Sequence, residues 1–521
     1  MKKSLLLFSL GLGTLSIFAH SYSNPVIPGF YPDPSICRVD SDYYLVNSTF
    51  QYFPGIPVWH SRDLVNWEQI GNAIDRPEQM DLSHALSWGG LYAPTIRYND
   101  GTFYMINTNV SQNGNFFVTA TNPAGPWSDP IWLEQGGIDP SFYFEDGKCY
   151  FTSNPNDGIY LCEIDPITGK QLTPSKLIWT GTGGRYPEGP HIYKKDGWYY
   201  LLISEGGTEH AHMITIARSK DIYGPYESNP DNPILTHCNQ LGQSNPIQGT
   251  GHADLTEAPD GSWWLVCLAF RPQQGMNHLT GRETYLAPVV WNEDGWPVVN
   301  GNGTIQTTMN VNLPIQGDLT PQTDWSQNLN FTKMKELGYD WVYLRKPVTS
   351  NYAFSEKGLT LTGNEWDLNS IEYPTFVGHR QQHIDFEATT LLSLDAKAID
   401  AKAGLTVYMD VRSHYDIYLS KTEKGYAINV DYWLNSIHHR EASLEITGNS
   451  AILRVTGDTN LYSFSYSTDN GETFYNLGYA DTRYLSSETA GGFTGIILGL
   501  YCTGKGDPKA TFEWFNYRPL K

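Results

Sequence analysis

Apolar and polar positions between residues 24 and 300 repeat as short strands separated by tight turns. Five times a mostly aromatic pair opens a strand directly after a polar turn, in the strings DSDYYLV, NDGTFYMI, EDGKCYFT, KDGWYYLL and PDGSWWLV. A second apolar strand and another polar turn follow each one, so a copy takes about 45 to 65 residues, the size of a four-stranded blade. Small sheets of this kind bury their faces by packing radially around an axis. The pattern therefore predicts a five-bladed β-propeller.

The second part of the chain has a different pattern. Residues 301–325 are polar with little periodicity, which is typical of a connector. From about Trp325 onward, nine short strand candidates follow one another between Gly, Asn or Asp turns, among them HIDFEATTLLSL, AGLTVYMDV and TGIILGLYC. This spacing predicts a β-sandwich. The predicted fold class is all-β, with a five-bladed propeller over residues 24–315 and a β-sandwich over 325–521.

The N-terminus has the features of an export signal. Lys2 and Lys3 precede a mostly apolar run from Leu5 to Ala19, and Ala19-His20-Ser21 has the small-x-small form of a cleavage site. We predict a signal peptide over residues 1–21 and a periplasmic or secreted protein, with a retained anchor as the alternative. Because the apolar run is short and interrupted by Gly, we expect no membrane insertion after cleavage.

The charge balance narrows the choice of partners. Acidic residues outnumber basic ones by 55 to 34, which gives a net charge of −21. Such a surface repels phosphate backbones and anionic lipid, which argues against nucleic acid and membrane-surface roles and favours a neutral ligand. The sequence leaves the oligomeric state open.

Six cysteines occur, at positions 37, 149, 162, 238, 267 and 502. Their spacing matches no zinc pattern, and several lie inside apolar strands, so we predict buried free thiols. If a disulfide forms in the exported protein, Cys149 and Cys162 are the expected pair, because they lie in neighbouring strands of one repeat.

The repeat also selects candidate catalytic residues. Ten positions before the aromatic pair stand Asp33, Ala93, Asp139 and Glu188 in the first four copies, and eleven positions before the fifth pair stands His252. If the copies are equivalent, these side chains occupy matching places around one axis. Taken singly, each acid is also typical of an Asx-turn or a cap. Acids that converge from three repeats are hard to explain by folding alone, and the set predicts catalysis.

These residue types suit hydrolysis of a glycosidic bond, which needs an acid for the leaving oxygen and a base for water. Asp33, stiffened by Pro32 and Pro34, suits the base. Glu188 reaches one methylene further and suits the acid. Asp139 supplies a third charge: two carboxylates about 6 Å apart at an effective dielectric near 20 repel by roughly 3 kcal/mol. That repulsion corresponds to about two pKa units, enough to lift the pKa of a Glu from about 4.3 towards neutrality, where it can deliver a proton.

Longer strings carry a resemblance. NPVIPGFYPDPSICRVDSDYYLVNSTFQYFPG, GGIDPSFYFEDGKCY, RYPEGPHIYKKDGWYY, GTGHAD and TGRET resemble glycoside hydrolase family 43, the β-xylosidase and α-L-arabinofuranosidase group. Later stretches such as LGYDWVYLRKP and GGFTGIILGLYC resemble the concanavalin-like sandwich of its two-domain members. The resemblance implies an inverting mechanism, with Asp33 as general base, Glu188 as general acid and Asp139 as the residue that modulates the pKa of the acid.

The resemblance also implies substrate-binding residues. Arg282 would reach the sugar and hold Asp139 ionised, Phe50 would line the pocket, and Phe493 would close one side of it. His252 would face the axis beside a central calcium ion or water cluster. From the sequence alone, a surface arginine, a core aromatic and a neutral structural histidine remain alternatives. We expect no required cofactor; no acidic cluster has EF-hand spacing, and a structural Ca²⁺ near His252 is the one metal considered.

Tyr92 departs from the resemblance, because xylosidases of similar build often have Trp before Ala-Pro. The smaller, hydroxylated ring favours release of α-L-arabinofuranosyl residues over xylosyl residues. The resemblance implies an exo mode, because the second domain would close the channel into a pocket. We therefore predict an exo-acting enzyme that releases non-reducing-end α-L-arabinofuranosyl residues from hemicellulose oligosaccharides, such as xyloglucan or arabinoxylan side chains. A β-D-xylosidase or a bifunctional enzyme is the close alternative. A non-catalytic sugar-binding propeller is the alternative of another class, and the three acids argue against it, since a lectin site gains little from mutually repelling charges.

Overall fold

The computed structural model describes residues 20–520 except 113, 240, 241, 243 and 316. Its N-terminal part contains five antiparallel sheets that follow one another along the chain. In chain order the strands are β1 (His20–Ser23); β2 (Ser35–Val39), β3 (Asp42–Val46), β4 (Tyr52–Phe53), β5 (Gly55–Ser61) and β6 (Glu68–Ile74); β7 (Thr95–Asn99), β8 (Thr102–Asn109), β9 (Gly114–Ala120) and β10 (Ile131–Trp132); β11 (Ile138–Glu145), β12 (Lys148–Asn154), β13 (Ile159–Ile164) and β14 (Lys176–Trp179); β15 (Glu188–Lys195), β16 (Trp198–Glu205), β17 (Met213–Ser219), β18 (Glu227–Ser228) and β19 (Leu235–Thr236); β20 (Gln248–Glu257), β21 (Trp263–Phe270), β22 (Glu283–Trp291) and β23 (Pro297–Val299); and β24 (Thr308–Val311).

These sheets are the five predicted blades. The strand orders are β2-β3-β5-β6, β7 to β10, β11 to β14, β15 to β18 with β19 beside β17, and β20 to β23. The opening strands β2, β7, β11, β15 and β20 contact one another in a ring, and β20 of the last blade meets β2 of the first. Each blade thus begins at the axis and ends at the rim, as the turn pattern predicted.

The N-terminal segment closes the ring. Val26 N–H donates to the Thr284 carbonyl at 2.9 Å, and β1 pairs antiparallel with β24. The segment predicted as a connector therefore contains one strand that ties the two ends of the propeller together. All four strands of the fifth blade come from the end of the propeller sequence, so the N-terminus, as far as the structure describes it, contributes no strand to that blade. The β1–β24 pair closes the ring instead.

The second part is a two-sheet sandwich of mainly long strands. They are β25 (Gln327–Asn330), β26 (Trp341–Leu344), β27 (Tyr352–Ser355), β28 (Gly358–Thr362), β29 (Thr375–Arg380), β30 (Phe386–Asp395), β31 (Lys402–Asp410), β32 (Ser413–Lys421), β33 (Tyr426–Leu434), β34 (Ile437–Ile446), β35 (Ser450–Gly457), β36 (Leu461–Ser467), β37 (Tyr475–Asp481), β38 (Ile497–Thr503) and β39 (Lys509–Pro519). One sheet has eight of these strands and the other has seven, to which β4 of the propeller adds an eighth. The predicted number of nine strands was therefore too low, because short segments with weak alternation, such as β26, were not recognised. Short helical turns occupy Gln274–Met276, Phe331–Lys333, Thr349–Asn351, Thr482–Leu485 and α1 (Ser487–Ala490).

One sandwich sheet packs directly on the propeller. Its edge strand β26 pairs with β4, which lies within the first blade's sequence, through Phe53 and Tyr343. A buried aromatic cluster continues this contact, with Phe30 and Phe50 on the propeller side and Phe376 among those on the sandwich side. Since a shared sheet and a shared core fix the two parts together, the loop between α1 and β38 is held over one mouth of the propeller.

The cysteines form no disulfide. All six are free thiols, five of them buried, as predicted. Cys238 is exposed, contrary to that prediction. Cys149 faces Ile164 and Cys162 faces Phe151 across β12 and β13, so the two cysteines are not direct cross-strand partners.

The predicted signal peptide lies outside the described residues, apart from its last two. Those two, His20 and Ser21, pair with Val311 and Asn310 as part of β1. Within residues 20–520 as described, no helix has the length and apolar character needed to cross a membrane.

Candidate active site

The five residues selected by the repeat offset meet in one cavity. Asp33, Ala93, Asp139, Glu188 and His252 all line a pocket of about 280 Å³ at one mouth of the propeller. Each lies at or just before the start of its blade's innermost strand, or at a bulge near that start. The structure therefore brings these five residues together around the axis, while their roles stay a prediction.

Local backbone geometry turns these side chains into the channel. Asp33, Asp139 and His252 have φ of 54°, 54° and 43°, in the left-handed region that few non-glycine residues adopt. The β11, β15 and β20 pairings shift register at the same places, through bulges that re-aim a side chain. Strained conformations repeated at equivalent positions are typical of a functional site.

Asp33 is held as an anion. Its Oδ1 accepts a hydrogen bond from Arg282 Nη1 at 2.8 Å, and its Oδ2 accepts one from the Ser48 hydroxyl. Burial opposes ionisation of Asp33, but Arg282, His252 and the Ser48 bond outweigh it, and the pKa of Asp33 lies below its usual value. The structure corrects one expectation here: Arg282 pairs with Asp33 and not with Asp139, because its side chain extends along the wall that carries Asp33.

Asp139 and Glu188 favour the protonated state. Burial, the largest cause, raises the pKa of each to about 7. Asp33 opposes ionisation of Glu188, and Glu188 opposes ionisation of Asp139. The Gly189 N–H donates to Asp139 Oδ2 at 3.1 Å, which lowers the pKa of Asp139 but does not offset burial and the two neighbouring acids. One ionised acid therefore faces a pair that retains a proton near neutral pH.

Aromatic side chains form the wall of the pocket. Phe50, Tyr92 and Phe493 all line it, with ring centroids 5.4 Å apart for Phe50 and Tyr92, 5.4 Å for Phe50 and Phe493 and 6.0 Å for Tyr92 and Phe493. The Arg282 guanidinium lies over the rings of Phe50 and Phe493. All the predicted substrate-binding residues are thus brought together, and Phe493 is the contribution of the sandwich.

The pocket ends blindly inside the propeller. Below it, Arg97 Nη1 pairs with the fully buried Asp254 Oδ2 at 2.8 Å. Tyr193 hydroxyl and His191 complete this polar cluster by bonding Asp254 and Arg97 respectively. A separate cavity, lined by residues further along the same inner strands, opens beyond it. A ligand that enters the pocket must therefore leave by the same mouth, where Tyr186 is 60% exposed.

The sequence prediction missed several residues that line the pocket or contact its acids. Thr208 accepts a hydrogen bond from Arg282 Nη1 at 2.9 Å, and His212 Nε2 lies 3.6 Å from Glu188 Oε1. Both belong to the string GGTEHAH between β16 and β17. Several polar and titratable residues follow directly after the apolar strand β16, and this pattern could have indicated Thr208 and His212 as site residues. For Ser48, two residues before Phe50, no such pattern was available.

His252 lies in a confined place beside Asp139. Its Nδ1 is 4.0 Å from Asp139 Oδ2, and its backbone N–H donates to the Ser204 hydroxyl at 2.6 Å. In the part of the chain that the structure describes, no group of three or more His, Cys, Asp or Glu residues is arranged to hold a metal ion. The calcium ion considered near His252 stays a prediction.

Comparison with known proteins extends over the whole chain. Residues 22–297 match the sequence model of glycosyl hydrolases family 43, and residues 328–518 match that of the β-xylosidase C-terminal concanavalin A-like domain. A non-reducing end α-L-arabinofuranosidase of Bacteroides ovatus is 41% identical, over 99% of this chain and 98% of its own. A xylosidase/arabinosidase of Butyrivibrio fibrisolvens is 38% identical, over 95% of this chain and 98% of its own.

Solved structures agree with this match. The Bacteroides ovatus xyloglucan PUL GH43B superposes with a TM-score of 0.90 at 41% identity, covering 96% of this chain and 100% of that one. The GH43 protein BlXynB from Bacillus licheniformis gives a TM-score of 0.90 at 36% identity, with the same coverage of both chains. The likeness therefore includes both the propeller and the sandwich.

Proposed function

The chain belongs to family 43 of the glycosyl hydrolases, and from this premise we propose that it removes terminal α-L-arabinofuranosyl residues from hemicellulose oligosaccharides with inversion of configuration. As a member of this family it is a glycosidase that hydrolyses O-glycosyl compounds. This membership argues against the non-catalytic sugar-binding propeller. The observation that carries the proposal is the blind pocket in which one ionised acid, Asp33, faces a pair of acids that retains a proton near neutral pH.

Each carboxyl has a role that its surroundings support. Asp33, kept ionised by Arg282 and Ser48, acts as general base and takes a proton from the attacking water. Glu188 donates its proton to the glycosidic oxygen as that bond breaks. We assign Asp139 the role of modulator: once Asp139 is ionised, its negative charge opposes ionisation of Glu188 and raises the pKa of that acid, as Asp33 already does. Since the water attacks from the face opposite the leaving group, the anomeric configuration inverts.

The exo mode follows from the shape of the pocket. The buried Arg97–Asp254 pair blocks the channel below the site, and Phe493 of the sandwich closes one side. A chain cannot run through such a pocket, so only a terminal sugar fits between the three acids and the aromatic wall. The remaining units extend past the exposed Tyr186.

The choice of sugar rests on Tyr92 and on the relatives. One relative is named for α-L-arabinofuranosidase activity and another for xylosidase/arabinosidase activity, so β-D-xyloside hydrolysis is the second candidate. The test is to compare kcat/KM for aryl α-L-arabinofuranoside and aryl β-D-xyloside. We expect the arabinofuranoside to be preferred; a clear preference for the xyloside would make the protein a β-xylosidase, and the absence of hydrolysis of either would contradict the proposed function.

The proposed place of action is outside the cytoplasm. The Lys-led apolar run and small-x-small site at the N-terminus support export to the periplasm or the medium. The chemistry assigned to Asp33, Glu188 and Asp139 proceeds without a cofactor. Dialysis against a chelator should therefore leave activity unchanged. A loss of activity that added Ca²⁺ restores would instead support the calcium ion considered near His252.

A further inference from the structure

The three acids differ in how firmly they are held. Asp33 accepts hydrogen bonds from Arg282 and Ser48, and Asp139 accepts one from the Gly189 N–H. Within the described residues, no hydrogen bond reaches the carboxyl of Glu188. The basic atom that lies beside this carboxyl group is Nε2 of His212, 3.6 Å from Glu188 Oε1. A general acid must deliver its proton in one direction, so its carboxyl group needs to be held in one orientation. Among the described residues, those that hold Asp33 and Asp139 do not hydrogen-bond the carboxyl group of Glu188.

His212 is placed to supply that orientation. Its side chain has no solvent exposure, and neither ring nitrogen makes a well-formed hydrogen bond within the described structure, although the Gly249 backbone lies near enough to oppose the lowering of the His212 pKa. Burial, the largest cause, lowers the pKa of His212 to about 4, so the imidazole is neutral at the pH where Glu188 is protonated. A buried polar group left without a partner costs about 1 to 3 kcal/mol. A contact with Glu188 recovers part of that cost.

The ring direction is fixed by a glycine. A Cβ atom on Gly251 would lie 2.0 Å from His212 Nδ1 and 2.1 Å from its Cε1. Only a residue without a side chain lets strand β20 approach the ring this closely. The imidazole is therefore pressed against the strand that carries His252, with its Nε2 edge towards Glu188.

We propose that His212 is a positioning residue for the general acid. In the substrate complex the neutral imidazole hydrogen-bonds Glu188 Oε1, which leaves Oε2 as the oxygen that faces the glycosidic bond. The present 3.6 Å separation shortens when the sugar enters, as catalytic hydrogen bonds are often long in an empty site. His212 touches neither substrate nor the reacting atoms; it acts through Glu188, and the inference rests on the role proposed for that residue.

The test compares leaving groups, because only a poor leaving group needs a well-placed acid. His212→Leu removes both ring nitrogens, and His212→Gln retains a polar group near the position of Nε2. On phenyl or alkyl glycosides we expect His212→Leu to lower kcat/KM by about 10- to 100-fold, at or below the lower end of the roughly 100- to 10,000-fold that a general acid contributes, because the acid is misplaced and not removed. On the 2,4-dinitrophenyl glycoside the loss should stay below about threefold, and His212→Gln should restore most of the activity on the poor leaving groups.

A matched control separates positioning from folding. His237 is also fully buried, but it bonds the Ile247 carbonyl and the Ile305 N–H away from the pocket. His237→Leu should affect all leaving groups equally, through the folded fraction alone. If His212→Leu does not fold, Gly251→Ala displaces the same ring and should give the same leaving-group dependence.

Two results would overturn the inference: an equal loss on activated and unactivated substrates in folded His212→Leu or Gly251→Ala, or no recovery in His212→Gln. The series uses whichever aryl glycoside, arabinofuranoside or xyloside, the wild-type protein hydrolyses. The sugar preference of the wild type thus tests the proposed function, while the dependence on the leaving group tests His212.

Discussion

Arg282 Nη1 lies 2.8 Å from Asp33 Oδ1, and both side chains are almost completely buried. A buried ion pair of this kind leaves a costly unpaired charge when one partner is removed. Here the partner that matters for chemistry is Asp33, since a base must be ionised to accept a proton. Arg282 belongs to the fifth blade and Asp33 to the first. The position of the fifth blade therefore determines whether Asp33 stays ionised and can act as a base.

Replacement of Arg282 by Met should move the pH dependence of catalysis. Arg282 lowers the pKa of both Asp33 and Glu188, so both limbs of the kcat/KM profile should move to higher pH in Arg282→Met, with a lower maximum. Arg218→Met, on strand β17, removes an ion pair to Glu227 of β18 and serves as the control, with unmoved limbs. If the acidic limb of Arg282→Met stays in place, the pair does not set the ionisation of Asp33.

The base and the acid can be told apart by substitution. Glu188→Gln should lower turnover by at least about 100-fold on a phenyl glycoside but much less on a 2,4-dinitrophenyl glycoside, which leaves without protonation. Asp33→Asn should lower turnover by at least about 100-fold on both, because activation of water is needed in either case. Sugar binding, measured by calorimetry, should survive in both variants. Full activity in either one would remove the mechanism.

Raised pKa values in the pocket predict a stability cost at high pH. Asp139 and Glu188 have ordinary values of 3.8 and 4.5 but values of about 7 in the folded protein, so the folded state binds more protons than the unfolded state between about pH 4 and 7. Stability therefore falls as the pH rises through that window. Glu188→Gln removes one of these titrations, so its Tm relative to wild type should rise by a few degrees between pH 5 and pH 8. The control Glu472→Gln, at an exposed position, should show no such trend. If the Tm of Glu188→Gln and that of wild type change in parallel with pH, Glu188 does not have a raised pKa in the folded protein.

Phe493 tests the contribution of the sandwich to the pocket. Removing its ring opens one wall and exposes Phe50 and Tyr92, which it contacts. Loss of a buried aromatic contact is worth about 1.5 to 3 kcal/mol, so kcat/KM should fall by about 10- to 100-fold in Phe493→Ala, mainly through KM. Phe474→Ala, in the sandwich but stacked on Arg454, is the control. Unchanged kinetics in Phe493→Ala would show that the sandwich does not contribute to substrate binding through this residue.

Much of the site was predictable because the blade repeat fixes spacing. The distance from an inner-strand residue to the next aromatic hairpin is set by strand length and turn, so a constant offset of ten residues located Asp33, Ala93, Asp139 and Glu188. In the fifth copy an additional bulge between Gly251 and Ala253 explains the offset of eleven at His252. These are local relationships, and local sequence specifies them.

What escaped prediction depends on tertiary packing. The partner of Arg282 was assigned as Asp139, since the sequence does not encode which of two acids on neighbouring walls its long side chain reaches. His212 was missed because its position follows from a close approach to Gly251, 39 residues later in the sequence. The β4–β26 pairing between the two parts was missed for a similar reason: a two-residue strand has no pattern of its own.

The measurement that tests the central claim most directly is the configuration of the sugar first released. Hydrolysis of an aryl α-L-arabinofuranoside, followed by NMR within the first minutes, should give β-L-arabinofuranose before mutarotation, because water activated by Asp33 attacks opposite the leaving group protonated by Glu188. Initial release of the α-anomer would show retention through a covalent intermediate and would contradict the assignment of Asp33 as a base.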